Sequence, residues 1–443
     1  MKSNKTYLKW FFAAAVVVMG FSITACEDEP DKYEVAGGVP TVKYVRVPDP
    51  AAADSLLVGA YMDNTICLVG DNLRSIYELY FNDQKAILNT SYMTDHTVLV
   101  DVPGGIPATV TDKIYMITKD NQTVEYDFKV IVPAPQVASM SCEYAHPGTE
   151  VTIYGDYLLD DPNVPLTITM AGNVPVTDIR KITKTAVSFI LPDNAPEGYI
   201  TVGSIYGNSR SAFRYHDTRN ILFDWDGSHG GITIGHGWRE GVVRDDELGI
   251  DGAYLYFGGV DMLGEIGATW AEENFSFNYW PEVYEKPEGA EIELAKEYPE
   301  LSSRPEFASL ISEYGIAGLQ LKFELLVPSS NPWKSSALQM MFTSNASVTH
   351  PTQNNAFYSD VSVPRGLWMP WSSTGSYDTA DKWITVSFRL SDFNKTHEGA
   401  ACGTTFSADY LTGLTFFVWH GGVAGTDCDP VLCIDNIRVV PIE

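Results

Sequence analysis

Tryptophan is the residue type in this 443-residue sequence whose placement most suggests binding chemistry. Trp333 lies in a proline-containing segment, residues 329–334, and Trp368 and Trp371 lie in another, residues 366–373. Proline cannot donate to a strand ladder, so both segments are expected to be loops or sheet edges. Exposed, clustered tryptophans are costly unless they bind something. Because a flat indole matches the apolar C–H faces of a neutral sugar, we predict that these three rings form a platform for polysaccharide.

Two more tryptophans are second candidates for the same surface. Trp270 and Trp280 flank an acidic stretch that contains proline, and they could extend the platform. The alternative for these rings is that they pack beneath loops, as large aromatic side chains commonly do.

Signatures of catalysis and metal binding are weak. The carboxylates of residues 224–227 lack the further ligands of a calcium loop, which favours a turn. His229 and His236 lie seven residues apart without a metalloprotease context. We therefore predict no catalytic residue, no metal and no cofactor. The 57 acidic residues nevertheless offer many carboxylate pairs, so glycoside hydrolysis stays open as an alternative.

The first 26 residues form the most specific motif. Three lysines precede an uncharged apolar run of 11 residues, which as a helix spans about 16 Å and is too short to cross a bilayer. Residues 1–25 are therefore predicted to be a signal peptide. The residues before Cys26 resemble a bacterial lipobox, so we predict that Cys26 is acylated and anchors the mature chain in membrane lipid. The alternative is an ordinary signal peptide with a chance cysteine.

An acidic tether and an acidic surface follow. The carboxylates at 27–29, within the tether of residues 26–34, resemble the export signal that sends Bacteroides-type lipoproteins to the outer face of the outer membrane. The formal net charge is −28, and removing the three lysines of residues 1–25 leaves −31. Such a surface repels nucleic acid and anionic lipid, so we expect neutral or cationic partners and no nucleic acid. The charge also serves solubility.

An internal repeat organises the first half of the chain. Residues 66–73 match residues 151–158 at an offset of 85, and residues 97–103 match residues 186–192 at an offset of 89. A unit of this length fits one small β-sandwich. The repeated element, which ends in Gly-x-x-Leu from Gly70 and from Gly155, resembles the immunoglobulin-like IPT/TIG domain, and its glycine is expected to allow a positive-φ bend. We predict two such domains, residues 35–132 and 133–217.

The composition changes after about residue 218. Nine of the ten tryptophans lie beyond this point, and residues 218–443 are predicted to form one larger β-sandwich. Alternating apolar residues over 319–327 and 384–390 predict half-buried strands, and the apolar run 415–419 predicts a central strand. A helix is predicted over residues 305–314, since Pro305 begins it and Gly315 follows it.

Five cysteines remain besides Cys26, so at least one thiol in each monomer must be unpaired. Cys428 and Cys433 could form a disulfide across a turn. Their spacing does not decide the pairing among Cys402, Cys428 and Cys433.

Taken together, these features resemble the surface glycan-binding proteins of Bacteroidetes polysaccharide-utilisation loci, whose last domain is of the xyloglucan-binding type. Residues 221–227, 377–393 and 434–439 carry the likeness, which covers nearly the whole chain. The resemblance implies that the last domain binds a β-glucan, xyloglucan or xylan, that the preceding domains are spacers, and that a SusC/SusD-like transport complex lies alongside. The Trp-x-x-Trp spacing and the loop with Lys334 could alter the shape of the platform. This chain therefore need not bind the same glycan as other members of the family. A host-protein adhesin is the alternative from another class, and the tryptophan skew favours sugar.

Overall fold

The computed structural model describes residues 37–52, 54–161, 164–235, 239–267, 271, 273–280, 299–343 and 356–443. These residues form an all-β protein with two compact units, one ending at Pro133 and one spanning Ala134–Glu443. Within the described ranges, every helix is too short or too polar to cross a membrane.

The first repeat is a small sandwich with two main sheets, ordered β1-β3-β6 and β5-β4-β7-β8, and a short parallel pair β2-β9. Its strands are β1 Thr41–Arg46, β2 Gly59–Tyr61, β3 Thr65–Asp71, β4 Ile76–Phe81, β5 Gln84–Lys85, β6 Thr97–Asp101, β7 Lys113–Thr118, β8 Thr123–Asp127 and β9 Lys129–Ile131. Leu68, Val98, Ile114 and Met116 are fully buried between the main sheets, as their alternation along the strands requires.

The second repeat has the same plan, with sheets ordered β10-β11-β15-β14 and β13-β12-β16-β17. Its strands are β10 Gln136–Met140, β11 Glu150–Asp156, β12 Thr167–Met170, β13 Val174–Pro175, β14 Ile179–Ile182, β15 Ala186–Ile190, β16 Gly198–Ser204 and β17 Gly207–Tyr215. The two immunoglobulin-like sandwiches predicted from the repeat are confirmed.

The repeated glycine serves a purpose different from the predicted one. Gly70 and Gly155 each lie where the pairing register shifts, opposite the first strand of their repeat. A Cβ at either position would lie 1.8 Å from the facing carbonyl oxygen. Neither glycine has a positive φ. The residue with positive φ lies two positions later, as at Asn72 with φ 55°. The predicted positive-φ bend is therefore wrong, and close backbone approach at a bulge is the reason for glycine.

The C-terminal part is a larger sandwich of a six-stranded and a four-stranded sheet. The six-stranded sheet runs β19-β20-β27-β22-β25 with β18 on β27, and the four-stranded sheet runs β21-β26-β23-β24. The strands are β18 Ile221–Phe223, β19 Val242–Arg244, β20 Tyr254–Phe257, β21 Ser276–Tyr279, β22 Leu319–Leu326, β23 Ala337–Thr343, β24 Gly366–Trp368, β25 Ile384–Arg389, β26 Gly413–Trp419 and β27 Leu432–Pro441.

Among the residues described in this part of the chain, two helices accompany the sandwich, α1 Pro305–Tyr314 and α2 Ala356–Ser359. The predicted helix is confirmed, with proline in its first turn and Gly315 at φ 62° after it. The predicted central strand is also confirmed, since β26 lies between β21 and β23. Short 3₁₀ turns occur at Pro50–Ala52, Leu73–Ser75, Thr90–Tyr92, Ala171–Asn173, Leu301–Ser303, Ile316–Gly318, Pro370–Ser373, Leu390–Asp392 and Ala408–Tyr410.

Strand β22 is buried on both faces. One face enters the core between the two sheets, as predicted, but the face with Lys322 and Glu324 packs against the second repeat. Lys322 Nζ lies 2.6 Å from Glu143 Oε1, and Arg438 bridges Glu143 at 2.9 Å and Glu324 at 2.7 Å. All four side chains are at most 6% exposed. The prediction that this strand is buried on only one face is therefore wrong.

Further contacts join the second repeat to the C-terminal sandwich. The Thr385 amide donates to the Ser141 carbonyl at 3.0 Å, and the Glu143 amide donates to Thr385 Oγ1 at 2.7 Å. Ile221 and Ile250 of the C-terminal part lie in the apolar core of the second repeat. Residues 134–443 consequently form one compact unit.

The five cysteines of the described residues are unpaired. Cys428 and Cys433, whose pairing the sequence left undecided, therefore form no disulfide. Burial raises the pKa of the Cys433 thiol to about 12, which keeps it protonated and unreactive.

Candidate functional site

Two tryptophans of the predicted platform are core residues. Trp333 is 0% and Trp371 is 3% exposed, and both belong to the apolar core between the two sheets. Their indole N–H groups donate to the carbonyls of Ser335 at 2.6 Å and Ser336 at 2.8 Å, which satisfies them internally. The expected exposure of these two rings is wrong. Their segments are irregular, but they fold inward over the end of the sandwich.

Trp368, the third ring, is partly exposed at the end of the edge strand β24. Its ring meets three others edge to face, Trp333 at 5.8 Å, Tyr377 at 5.6 Å and Phe388 at 6.2 Å. Phe388 lies on β25, the edge strand of the opposite sheet. Trp368 therefore closes the gap between the two sheet edges, which is a packing arrangement favoured by aromatic rings.

Of the second-choice tryptophans, Trp270 lies outside the described residues. Trp280 is 2% exposed and follows β21, and its indole N–H donates to Thr415 Oγ1 at 2.9 Å. Its expected exposure is wrong as well, but it lies on the face of the four-stranded sheet that points away from the core.

This outer face combines aromatic rings with polar side chains. Because strand residues alternate between faces, the residues beside the core positions of β21, β23 and β26 all point outward. They are Ser276, Asn278, Trp280, Gln339, Met341, Thr343, Thr415, Phe417 and Trp419. The side chains of Tyr358 and Arg365 lie against them, and we call this set the outer face.

Hydrogen bonds fix the polar groups of the outer face. Arg365 donates to Gln339 Oε1 at 2.8 Å and to the Tyr358 carbonyl at 2.8 Å. Asn278 and the Tyr358 hydroxyl are bonded at 2.7 Å, and Gln339 donates to the Trp419 carbonyl at 2.6 Å. Burial lowers the pKa of Arg365 to about 10, so the guanidinium stays charged at neutral pH.

Trp419 is the partly exposed ring at the rim of the outer face. The His397 imidazole is stacked on it, with centroids 5.5 Å apart and planes inclined by 8°, and His420 meets it edge-on at 5.0 Å. Burial lowers the pKa of both histidines, so the rings are neutral at neutral pH. The sequence interpretation placed Trp419 in the predicted central strand of residues 415–419 and not among the rings of the platform. The alternation of Thr415, Phe417 and Trp419 is the signal that it missed.

The predicted turn at Asp224 is confirmed. Its carboxylate accepts the backbone N–H groups of Gly227 at 3.0 Å, His229 at 2.8 Å and Gly231 at 3.1 Å. His236 lies outside the described residues. Two other groups of side chains among the described residues have the geometry to hold a metal ion, namely His216, His229 and Asp251, and His397, Glu398 and His420.

Two immunoglobulin-like sandwiches followed by a larger sandwich with an aromatic and amide-bearing sheet face define a modular, all-β binding protein. The chain belongs to the surface glycan-binding protein B family. The sequence model of that family's xyloglucan binding domain matches residues 215–441.

Two similar proteins support this membership. The crystal structure of surface glycan-binding protein B from Prevotella bryantii is 38% identical, with a TM-score of 0.74 over 92% of this chain and 100% of that one. An IPT/TIG domain-containing protein of Bacteroides ovatus is 25% identical over 240 residues, which are 50% of this chain. The matched part spans 48% of that relative, about half its length. The family and the fold class predicted from the sequence are confirmed.

Proposed function

We propose that the protein holds a neutral, β-linked glucan of the xyloglucan class at the rim of the outer face of its four-stranded sheet, with the partly exposed Trp419 as the stacking ring. The observation that carries the proposal is the family match over residues 215–441, which includes every strand of that sheet. Xylan and unbranched β-glucan are the other glycans that the sequence left open.

The rim of the outer face supports a sugar ligand. Trp419 offers an indole ring whose orientation is fixed by the stacked His397 imidazole. The Gln339 amide and the Arg365 guanidinium beneath it are fully buried and hydrogen-bonded within the protein, so they hold the ring in place and do not themselves contact the glycan. A ring held in this way loses little further entropy when a ligand binds.

The same face argues for holding the glycan rather than cleaving it. A glycoside hydrolase needs two carboxyl groups about 5–9.5 Å apart across the scissile bond. Among the described residues, the outward positions of β21, β23 and β26 contain no Asp or Glu. We therefore propose a binding protein without hydrolytic activity, and accumulation of reducing ends from the glycan would contradict this.

Trp419→Ala is expected to weaken xyloglucan binding at least tenfold, which equals about 1.4 kcal/mol. Stacking of an aromatic ring on a nucleic-acid base is worth about 1–3 kcal/mol, and we take that as the scale for sugar on indole. Isothermal titration calorimetry with xyloglucan oligosaccharides measures the effect. Binding should also be nearly independent of salt, since a neutral sugar involves no charge to screen.

Trp368→Ala is the matched control, because Trp368 is also partly exposed but packs against the core on the other face of the same sheet. It should leave the dissociation constant within about twofold if the glycan lies on the outer face. The reverse result, with Trp368 essential and Trp419 dispensable, would place the glycan at the platform first expected from the sequence.

We propose further that Cys26 is acylated and fixes the protein in the outer membrane, facing outward beside a SusC/SusD-like transport complex. Cys26 lies outside the described residues, and the support is its lipobox-like sequence and the surface location implied by the family name. Cys26→Ala is expected to release the protein from the membrane fraction, because several acyl chains are needed for stable anchoring. Equal amounts of wild type and variant in the membrane pellet would contradict the anchor, with Cys402→Ala as the control.

A further inference from the structure

We propose that the junction between the second repeat and the C-terminal sandwich binds one Zn²⁺ ion through His216, His229 and Asp251. His216 follows β17 of the second repeat, whereas His229 and Asp251 belong to the C-terminal sandwich. One atom suited to metal ligation from each of the three side chains lies within 4.8 Å of the others. Two imidazoles and one carboxylate are a ligand set typical of zinc.

The distances suit a tetrahedral ion. Zinc lies about 2.0–2.2 Å from nitrogen and oxygen ligands, so two ligand atoms of one tetrahedron are about 3.3 Å apart. His229 Nε2 and Asp251 Oδ2 are already 3.0 Å apart. The wider separations in the group, up to 4.8 Å, would close by about 1.5 Å, which side-chain rotation can provide.

Asp435 is the independent observation that points to a cation. It is 1% exposed, and its Oδ2 atom has no hydrogen-bond donor in the structure. Its carboxyl group lies against that of Asp251. Two carboxyl groups in contact need either a shared proton or a nearby cation. A zinc ion bound by Asp251 provides that cation.

The surrounding charges leave these two carboxyl groups available. Lys322 and Arg438 contact Glu143 and Glu324, and Arg219 contacts Asp217. Among the residues that the structure describes, no lysine or arginine forms an ion pair with Asp251 or Asp435. The Asn436 side chain donates to both Asp251 oxygens, at 3.1 and 3.2 Å, and orients that carboxylate.

The two imidazoles are held ready to bind a metal. The Tyr144 ring lies 4.4 Å from the His216 ring and meets the His229 ring edge-on at 5.7 Å. A neutral imidazole binds a metal ion through the lone pair of one ring nitrogen. An ion here would tie the second repeat to the C-terminal sandwich through direct coordination.

The test uses tag-free, chelator-treated protein titrated with Zn²⁺. Calorimetry should give one equivalent bound, and the melting temperature should rise by about 5 °C at a hundredfold excess over the dissociation constant. Co²⁺ in place of Zn²⁺ should show the visible absorption of a tetrahedral ion.

His216→Asn and His229→Gln should each weaken Zn²⁺ binding at least tenfold. Asparagine is chosen because residue 216 has φ 53°, which asparagine tolerates. His146→Asn, at an exposed histidine of the second repeat, and His420→Gln, in the other histidine group, should bind like the wild type.

The proposal is overturned if the wild type binds no Zn²⁺, or if both cluster variants bind it like the wild type. Loss of binding in His420→Gln alone would equally overturn it, because the ion would then lie near Trp419. Should His216→Asn fail to fold, His229→Gln and the Co²⁺ spectrum of the wild type decide the matter.

Discussion

Arg438→Met is expected to lower the free energy of unfolding of the unit Ala134–Glu443 by about 3–5 kcal/mol. Arg438 is fully buried and bonds to Glu324 and Glu143, which are themselves buried. Methionine fills much of the same volume but leaves Glu324 without a cation and Glu143 paired with Lys322 alone. Breaking a buried ion pair by removing one partner is costly because the remaining charge has neither water nor a counterion. Urea denaturation followed by tryptophan fluorescence measures the loss.

Arg389→Met is the matched control for this experiment. Arg389 lies on β25 of the same sheet but is exposed. Substitutions at exposed positions without special contacts usually change stability by less than about 0.5 kcal/mol. Equal midpoints for the two variants would mean that the buried network contributes nothing to the joint between the second repeat and the C-terminal sandwich.

Trp371→Ala is expected to destabilise the same unit by about 3–5 kcal/mol, which is the usual cost of deleting a buried tryptophan. The ring is 3% exposed within the core, and its N–H bonds to the Ser336 carbonyl. The substitution removes that packing and leaves a cavity and an unsatisfied carbonyl. Thermal and urea unfolding both report the effect.

Tyr154→Ala provides the comparison, because Tyr154 is an aromatic residue of the same unit with 45% exposure. It should unfold nearly as the wild type does. If Trp371→Ala unfolded like Tyr154→Ala and bound glycan tenfold more weakly, the ring would belong to the binding surface after all, as the sequence first suggested.

The local elements were predictable because their signals are local. Pro305 and Gly315 determine where α1 begins and ends, and the repeated Gly-Asp landmarks predicted two sandwiches of one kind. Only the predicted role of the repeated glycine, a positive-φ bend, was wrong. A glycine needed for close approach and one needed for positive φ look the same in a sequence, and only the facing carbonyl distinguishes them.

The tertiary arrangement of polar and aromatic residues was not predictable in the same way. Lys322 and Glu324 indicated a solvated face, yet the second repeat covers it. Glu143, the partner of Lys322, lies about 180 residues earlier in the chain. Trp333 and Trp371 lie in irregular segments as predicted, but a loop can bury a ring as well as display it. Trp419 was overlooked because the run 415–419 indicated a central strand, and a central strand gives no sign of which ring reaches the rim.

The buried charges at Glu143 have a consequence for how this chain can evolve. Tandem immunoglobulin-like modules are commonly gained, lost or exchanged as units during gene duplication. Exchanging the second repeat for another module would leave Lys322 and Arg438 without their partner Glu143, at a cost of several kcal/mol. Recombination is therefore expected to preserve residues 134–443 as one heritable block. The first repeat, a compact unit by itself, is the part that can be duplicated or replaced.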